Sequence, residues 1–314
     1  MASRIRFARL ATEGVNPRTR ALDLMRPRQI AALMNREDRR AVRAVARAGS
    51  EIAKAVRMIV TALERGGRLI FVGAGTSGRL GVIEAAECPP TFGTPPGLVQ
   101  AIMAGGRGAV FRSREGAEDD ERAARRAVRA RVRRGDVVVG VSASGVTPFV
   151  RAALAAARTR GTRTILLTCN ATGLRPAVAN VRIVVATGPE VLAGSTRLKA
   201  GTATKLVLNT LTTAAMTGLG RVYGNRMVDL QPRSAKLRER ALRLIGEVAG
   251  VSRERALRAF GESGGRVKVA IVIARNGWSA IEASRALRAA SGSLRVVLRS
   301  SGGSSERAPG PART

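Results

Sequence analysis

Five short apolar segments alternate with helical stretches between residues 68 and 186 of this 314-residue chain. The segments are rich in Val and Ile and cover residues 68–72, 98–103, 136–142, 163–169 and 181–186. The spacing of apolar residues predicts intervening helices over 77–87, 118–134, 148–160 and 172–179. Segments that are apolar on both faces are typical of buried parallel strands. Their alternation with helices predicts an α/β fold with a doubly wound, mainly parallel five-stranded sheet.

Helical patterns flank this region on both sides. Residues 1–35 are interrupted by Pro17 and Pro27 and are expected to be irregular, and one long helix is predicted over 36–65. Further helices are predicted over 196–220, 234–249, 252–262, 266–275 and 279–290, with Ser252 as an N-cap. The expected organisation is an N-terminal arm and helix (1–65), a sheet domain (66–233), a C-terminal helical domain (234–298) and a disordered tail (299–314).

The formal net charge of +33 has two interpretations. A basic surface is typical of nucleic-acid-binding proteins, because it displaces counterions from the phosphate backbone. A bias in amino-acid usage gives the same total charge. The bias is favoured, because only 5 of the 55 basic residues are Lys and the arginines are spread along the helical stretches. One Tyr and one Trp also provide little surface for stacking bases, so nucleic acid is expected to bind only non-specifically.

The residue types also limit the chemistry. The chain has no His, which excludes a Ser-His-Asp triad and most zinc sites, so acid–base catalysis would use Glu, Asp, Cys, Lys or the lone Tyr223. Cys88 and Cys169 have neither metal-site spacing nor the pattern of a disulfide framework.

No apolar run approaches the ~20 residues of a membrane helix, and the N-terminal residues lack a signal-peptide pattern. A cytoplasmic protein without membrane contact is expected.

A Gly-rich turn follows the first predicted strand. Its glycines match G-x-G-x-x-G, the dinucleotide-binding pattern, at Gly73, Gly75 and Gly78. A dinucleotide site also needs an acidic residue at the end of the next strand, and residues 92–106 contain none. The turn instead offers hydroxyl and guanidinium donors at a helix start, from Thr76, Ser77 and Arg79. A phosphomonoester is therefore favoured over a dinucleotide, and a tight turn without a ligand is the alternative.

A second hydroxyl-rich turn follows the third strand. It contains Ser142, Ser144, Gly145 and Thr147, and Pro148 suits the first position of a helix. An ordinary helix cap would have the same composition. Because the carboxyl ends of parallel strands meet at one edge of a sheet, the two turns together indicate one shared phosphate site.

Two carboxylates and a polar segment lie near these turns. Glu87 ends the first crossover helix and is either a functional group or a solvated helix-end carboxylate. Glu118 opens an acidic run at a predicted helix start, where the helix dipole favours acids, so the residues alone favour a structural role. The segment 188–205 carries Lys199 and Lys205, two of the five lysines. They indicate either a need for a compact ammonium or a helix start capped by Ser195 or Thr196.

Several motifs resemble those of the N-acetylmuramic acid 6-phosphate etherases, which belong to the sugar-isomerase (SIS) domain superfamily. They are TEGVNP (12–17), GAGTSGRLGV (73–82), ECPPTFG (87–93), EGAEDD (115–120), ASGVTPF (143–149), GPEVLAGSTRLKAGTATKLVLN (188–209) and YGNRMVD (223–229). The resemblance extends from about residue 12 to 298. The 188–205 segment is specific to this family and to its relative, the glucokinase regulatory protein.

The resemblance implies cleavage of the D-lactyl ether of N-acetylmuramic acid 6-phosphate, giving N-acetylglucosamine 6-phosphate and D-lactate in peptidoglycan recycling. It implies no metal or organic cofactor and a homodimer with its site near the subunit interface. The family's acid/base glutamate falls on Glu87 and its second catalytic carboxylate on Glu118, which reverses the structural assignment of Glu118. The residues implied to bind the substrate or its phosphate are Gly75, Thr76, Ser77, Gly78, Arg79, Ser144, Gly145, Thr147, Glu190, Ser195 and Lys199.

The chain departs from the family pattern at three positions. Val146 stands where Arg is common, Phe149 where Tyr is common and Ala86 where Ser is common. Loss of a guanidinium beside a phosphate turn implies weaker substrate binding. The alternatives are a non-catalytic sugar-phosphate-binding regulator, which retention of both glutamates argues against, and a sugar-phosphate isomerase of the same superfamily, which the 188–205 segment argues against.

Overall fold

A five-stranded parallel sheet organises the first of two units in the computed structural model, which describes residues 10–171, 179–232 and 234–300. The strands are β1 (Leu69–Gly73), β2 (Val99–Met103), β3 (Val137–Val141), β4 (Arg163–Thr168) and β5 (Val181–Val184), in the order β2-β1-β3-β4-β5. Gly73 at the end of β1 is level with Met103 of β2 and Val141 of β3. The loops after these three strands therefore meet at one edge, and the predicted parallel sheet is confirmed.

Helices cover both faces of the sheet. The helices of this unit are α1 (Pro27–Arg47), α2 (Gly49–Glu64), α3 (Gly75–Phe92), α4 (Gly108–Phe111), α5 (Glu121–Arg131), α6 (Pro148–Thr159) and α7 (Lys199–Gly218), of which α3, α5 and α6 are among those that pack on the sheet. Alternate residues of β1 point to opposite faces. Ile70 and Val72 pack in a cluster with α5 and α6, whereas Phe71 lies against α3, where Gly81 leaves no room for a Cβ atom. The predicted doubly wound arrangement is confirmed.

The second unit consists of Pro90–Gly93 and the described residues from Met216 onward. It contains a short antiparallel pair, β6 (Val222–Tyr223) and β7 (Arg226–Met227), and the helices α8 (Ala235–Ala249), α9 (Arg253–Glu262), α10 (Val267–Asn276), α11 (Ala280–Ala289) and α12 (Leu294–Ser300). A separate apolar cluster joins these helices, and the almost fully buried α10 contributes most of its side chains to it. Four helices match their predicted bounds within one residue, and Ser252 caps α9 as predicted.

The sequence-based predictions were wrong at the N-terminal helix. Instead of one helix over 36–65, the chain forms α1 and α2, separated at Ala48. Pro27 does not interrupt the chain but starts α1, because a helix's first residue needs no backbone N–H. Residues 11–24 are also less irregular than expected, since they contain three short 3₁₀ turns.

Three other helices also differ from their predicted bounds, and one of them is α7, which runs over Lys199–Gly218 rather than over 196–220. The helix α3 starts at Gly75 and continues through the Pro89-Pro90 pair to Phe92, so this pair lies in the last turns of the helix rather than stopping it at residue 87. The helix α5 starts at Glu121, with the side chain of Asp120 accepting the N–H of Ala123 at 2.8 Å. The predicted helix over 172–179 falls almost entirely outside the described residues. Throughout the described ranges, no helix combines the length and apolar character needed to cross a membrane.

Candidate active site

A cavity of about 250 Å³ lies at the carboxyl ends of β1 and β2. Its lining includes the start of α3 at Gly75, the side chain of Arg79, and the 113–118 segment that ends at Glu118. The structure therefore brings one predicted phosphate turn and one predicted catalytic carboxylate to the same place.

The turn between β1 and α3 depends on its glycines. Gly75 begins α3 with a φ of +53°, a left-handed conformation that glycine adopts without strain. A Cβ atom at Gly78 would lie 2.3 Å from the Met103 sulfur and 2.6 Å from the Gly73 carbonyl oxygen, so α3 can approach the strand only with glycine there. Thr76 and Ser77 are half-buried in the first turn, where N–H groups lack intrahelical partners. The arrangement can receive an anion.

The second turn is preorganised by its own hydroxyl groups. The Ser142 oxygen accepts the N–H of Gly145 at 3.0 Å and lies 2.7 Å from the Thr147 hydroxyl oxygen. Ser144 accepts the N–H of Val146 at 3.3 Å, and its carbonyl accepts the Asn170 amide at 3.3 Å. The turn sits between the ends of β3 and β4 and can present hydroxyl and N–H groups without rearranging.

Glu118 connects the cavity with the second turn. It lies two residues before the α5 cap rather than in a helix, and its carbonyl accepts the N–H of Phe149 in the first turn of α6 at 2.9 Å. The side chain is exposed, and within the described part of the chain its carboxylate has no hydrogen-bond partner. A carboxylate in this state can accept a proton or bind water at the cavity wall.

Glu87 lies far from these groups along α3. Twelve residues separate it from Gly75, which corresponds to about 18 Å of helix at ~1.5 Å per residue. Its side chain is exposed, and among the described residues it has no hydrogen-bond partner. The structure therefore does not bring Glu87 to the phosphate turn of its own chain.

Sequence reasoning missed a buried carboxylate one helical turn before Glu87. Glu84 is 4% exposed, binds the Lys205 ammonium and accepts the Thr212 hydroxyl at 2.7 Å. The available signals were a glutamate on an apolar helix face and the unusual lysine in 188–205. Burial and the nearby Glu84 carboxylate raise the pKa of Cys88 to about 12, so this thiol stays protonated at neutral pH.

The predicted binding residues of the 188–205 segment have structural partners. Glu190 is buried and accepts the N–H groups of Lys199 at 3.0 Å and Ala200 at 2.9 Å, so it caps α7. Burial raises the pKa of its carboxyl group. Ser195 is half-buried in the loop before α7, and Gly201 in α7 faces the Thr76 methyl group of the first turn. A direct substrate contact for Glu190, Ser195 or Lys199 stays a prediction.

Lys199 belongs to a buried ion-pair network that the sequence analysis did not predict. Its Nζ donates to Glu37 of α1 at 2.6 Å, and both side chains are 1% exposed. Glu37 also accepts Asn16 at 3.0 Å and Arg18 at 2.8 Å. Burial alone would raise the pKa of Glu37, but the bonds from Lys199 and Arg18 outweigh it and lower that pKa to about 2. The network ties the N-terminal arm to the start of α7.

Comparison with known proteins connects this geometry to a family. Residues 51–158 match the model of the glucokinase regulatory protein N-terminal SIS domain, and residues 116–214 match the SIS domain. Phosphoheptose isomerase GmhA from Neisseria gonorrhoeae aligns with 60% of this chain and 98% of its own length, at 20% identity and a TM-score of 0.46.

Sequence relatives align over almost the whole chain. The N-acetylmuramic acid 6-phosphate etherase of Geobacillus thermodenitrificans is 51% identical over 290 residues, which are 92% of this chain and 98% of the relative. The etherase of Picosynechococcus is 48% identical over 292 residues, which are 93% of this chain and 97% of the relative. At this identity and coverage, the chain belongs to the N-acetylmuramic acid 6-phosphate etherase family.

Proposed function

We propose that this protein cleaves the D-lactyl ether of N-acetylmuramic acid 6-phosphate, releasing N-acetylglucosamine 6-phosphate and D-lactate. The observation that carries the proposal is the alignment of 92% of the chain with an etherase at 51% identity. The cavity supports it, because an anion-binding helix start and an exposed carboxylate line the same space.

The 6-phosphate is held by the two strand-end turns. Backbone N–H groups at the start of α3 face it from one side, with Ser77 nearby. Ser144 and Thr147 supply hydroxyl groups from the second turn. Binding energy from a phosphate that does not react can position C2 and C3 of the sugar and so lower the barrier of the chemical steps.

Two carboxylates can carry out all the proton transfers that this reaction needs. In the open-chain sugar, the C2 hydrogen is acidic because it lies beside the aldehyde, and Glu87 removes it as a proton. The electron pair forms the C2–C3 double bond, the C3–O bond breaks, and the ether oxygen leaves with a proton as the hydroxyl of D-lactate. Water then adds at C3 with assistance from Glu118, and a proton returns to C2. The net change consumes one water molecule.

The distance between the phosphate turn and Glu87 determines how many subunits one active site needs. An open six-carbon chain with a terminal phosphate is much shorter than the ~18 Å of helix between Gly75 and Glu87. A phosphate on the first turn therefore leaves C2 beyond the reach of Glu87 in the same chain. We infer a homodimer in which each site combines the turns and Glu118 of one subunit with Glu87 of the other.

The direct test is incubation with N-acetylmuramic acid 6-phosphate, followed by measurement of D-lactate. Removal of one acid/base group costs about 10²–10⁴ in rate, so Glu87→Gln is expected to lose at least that much while keeping its circular dichroism spectrum. Near-normal lactate release from Glu87→Gln would exclude the assigned role. Absence of lactate with the wild-type protein would refute the proposed function, and a ketose product would favour an isomerase.

A further inference from the structure

Arg79 does not extend freely from the phosphate turn. It lies in the second turn of α3, and its Nε donates to the Val110 carbonyl at 2.8 Å. Its Nη2 donates to the Ala109 carbonyl at 2.9 Å. Both bonds are charge-assisted and together fix the plane of the guanidinium. The cation that the sequence suggested for phosphate binding is thus held against another segment of the chain.

The two carbonyls belong to a segment that needs external support. Ala109 and Val110 lie in α4, a helix of only four residues, and the last carbonyls of a helix have no intrahelical donors. Ala109 is the one buried side chain of α4, and Phe111 is 89% exposed, so apolar packing anchors this segment at a single small residue. The Arg79 guanidinium provides the missing donors.

The same segment leads directly to Glu118. From α4 the chain passes through the exposed residues 112–116 and reaches Glu118 at the cavity wall. Its far end is held by the bond from the Phe149 N–H to the Glu118 carbonyl. The near end is held by Arg79. The carboxylate therefore stands on a loop with an attachment at each end.

We infer that Arg79 is a positioning residue for Glu118: its two bonds to the α4 carbonyls couple the phosphate turn to the loop that carries this carboxylate. The inference rests on the proposed function for the role of Glu118 in the water step. It assigns Arg79 to the second half of the reaction rather than to phosphate affinity.

A positioning role and a phosphate-binding role for Arg79 predict different kinetics. A displacement of about 1 Å at a reacting group can cost ~10²-fold in rate, so Arg79→Ala is expected to lower kcat by about that factor with little change in KM. Proton abstraction at C2 by Glu87 should persist, so the variant should still exchange the C2 hydrogen with D₂O and accumulate the unsaturated aldehyde. A phosphate ligand would instead show a raised KM and a parallel loss of exchange and product.

The experiment compares Arg79→Ala and Arg79→Lys with the matched control Arg107→Ala. Arg107 is exposed just before α4, so its removal deletes one charge from the same loop without the two carbonyl bonds. Kinetics, C2 exchange and the inhibition constant of inorganic phosphate are measured for each. Arg79→Lys can restore one bond and should fall between wild type and Arg79→Ala. A phosphate inhibition constant that rises in proportion to the loss of turnover would overturn the inference.

A second measurement does not depend on turnover. Amide hydrogen exchange of peptides covering residues 105–118 should accelerate in Arg79→Ala and remain at the wild-type rate in Arg107→Ala. Unchanged protection of these peptides in a folded Arg79→Ala protein would also overturn the inference. If the wild-type protein released no lactate, the proposed function would fail, and this measurement would still decide whether Arg79 holds the loop.

Discussion

Subunit complementation tests the assignment of Glu87 and Glu118 to opposite chains of one site. The perturbation is a pair of inactive variants, Glu87→Gln and Glu118→Gln, combined in one dimer. Because about 18 Å of α3 separates Glu87 from the phosphate turn of its own chain, each site should draw its two carboxylates from different subunits. A hybrid dimer then contains one site with both glutamates and one site with neither.

The expected recovery follows from counting sites. Doubly tagged dimers are all hybrids and one of the two sites in each is intact, so their activity should return to about half of the wild-type value. Each variant alone should stay about 10²–10⁴-fold below wild type. Co-refolding or co-expression with two different tags yields the hybrids. The assay is the formation of N-acetylglucosamine 6-phosphate by doubly tagged dimers, because this product requires both the Glu87 and the Glu118 steps, whereas D-lactate leaves before the Glu118 step.

The opposite arrangement has a distinct outcome. If both glutamates of a site came from one chain, every site in the hybrid would lack one carboxylate and activity would stay at background. A second hybrid combines a wild-type chain with a chain that carries both substitutions. It has no complete site if each site takes its two carboxylates from different subunits, and it keeps one complete site if both come from the same chain. Background activity in the first hybrid, or substantial activity in the second, would refute the shared site.

Three further changes probe other parts of the structure. Lys199→Met should cost about 3 kcal/mol of unfolding free energy in urea, because it removes the buried partner of Glu37, while phosphate affinity stays unchanged; a large loss of affinity would indicate a ligand role. Because the folded pKa of Glu37 is lowered to about 2, its stabilisation is present above pH 4.5 and is lost as the pH falls towards 2, by about 3 kcal/mol. The loss should be smaller in Glu37→Gln. Val146→Arg should lower KM about tenfold or more through a charged bond to phosphate, and an unchanged KM would exclude that bond.

Local sequence patterns were sufficient to predict most of the strands and helices. Each strand was predicted within two residues, because buried parallel strands are continuous apolar runs that Gly-rich turns end. The predicted helix bounds were wrong at Pro27 and at the Pro89-Pro90 pair, because a proline can occur at the start of a helix or can disrupt one, and the sequence does not say which. The break at Ala48 was missed although Gly49 follows it, because an isolated glycine is tolerated within a helical pattern.

The candidate site was less predictable. Both turns were predicted from their glycines and hydroxyl residues, whereas the catalytic role of Glu118 was predicted from the resemblance and its place at the cavity wall came from the structure. The sequence pattern placed Glu118 at a helix start, although Asp120 is the residue that caps α5. The donors of Arg79 were expected to face a phosphate, and they instead bind carbonyls some 30 residues further along the chain.

The sequence by itself determined the alternation of strands and helices, the two turns and the family, because these depend on residues that are neighbours in the chain. Only the tertiary structure decided which polar groups are exposed for chemistry and which are enclosed. Lys199 is paired with a glutamate 162 positions away, and Glu84 accepts a threonine hydroxyl from 128 positions away. A charged side chain enters the interior only where a partner offsets its desolvation, and no local pattern specifies a partner so distant in sequence.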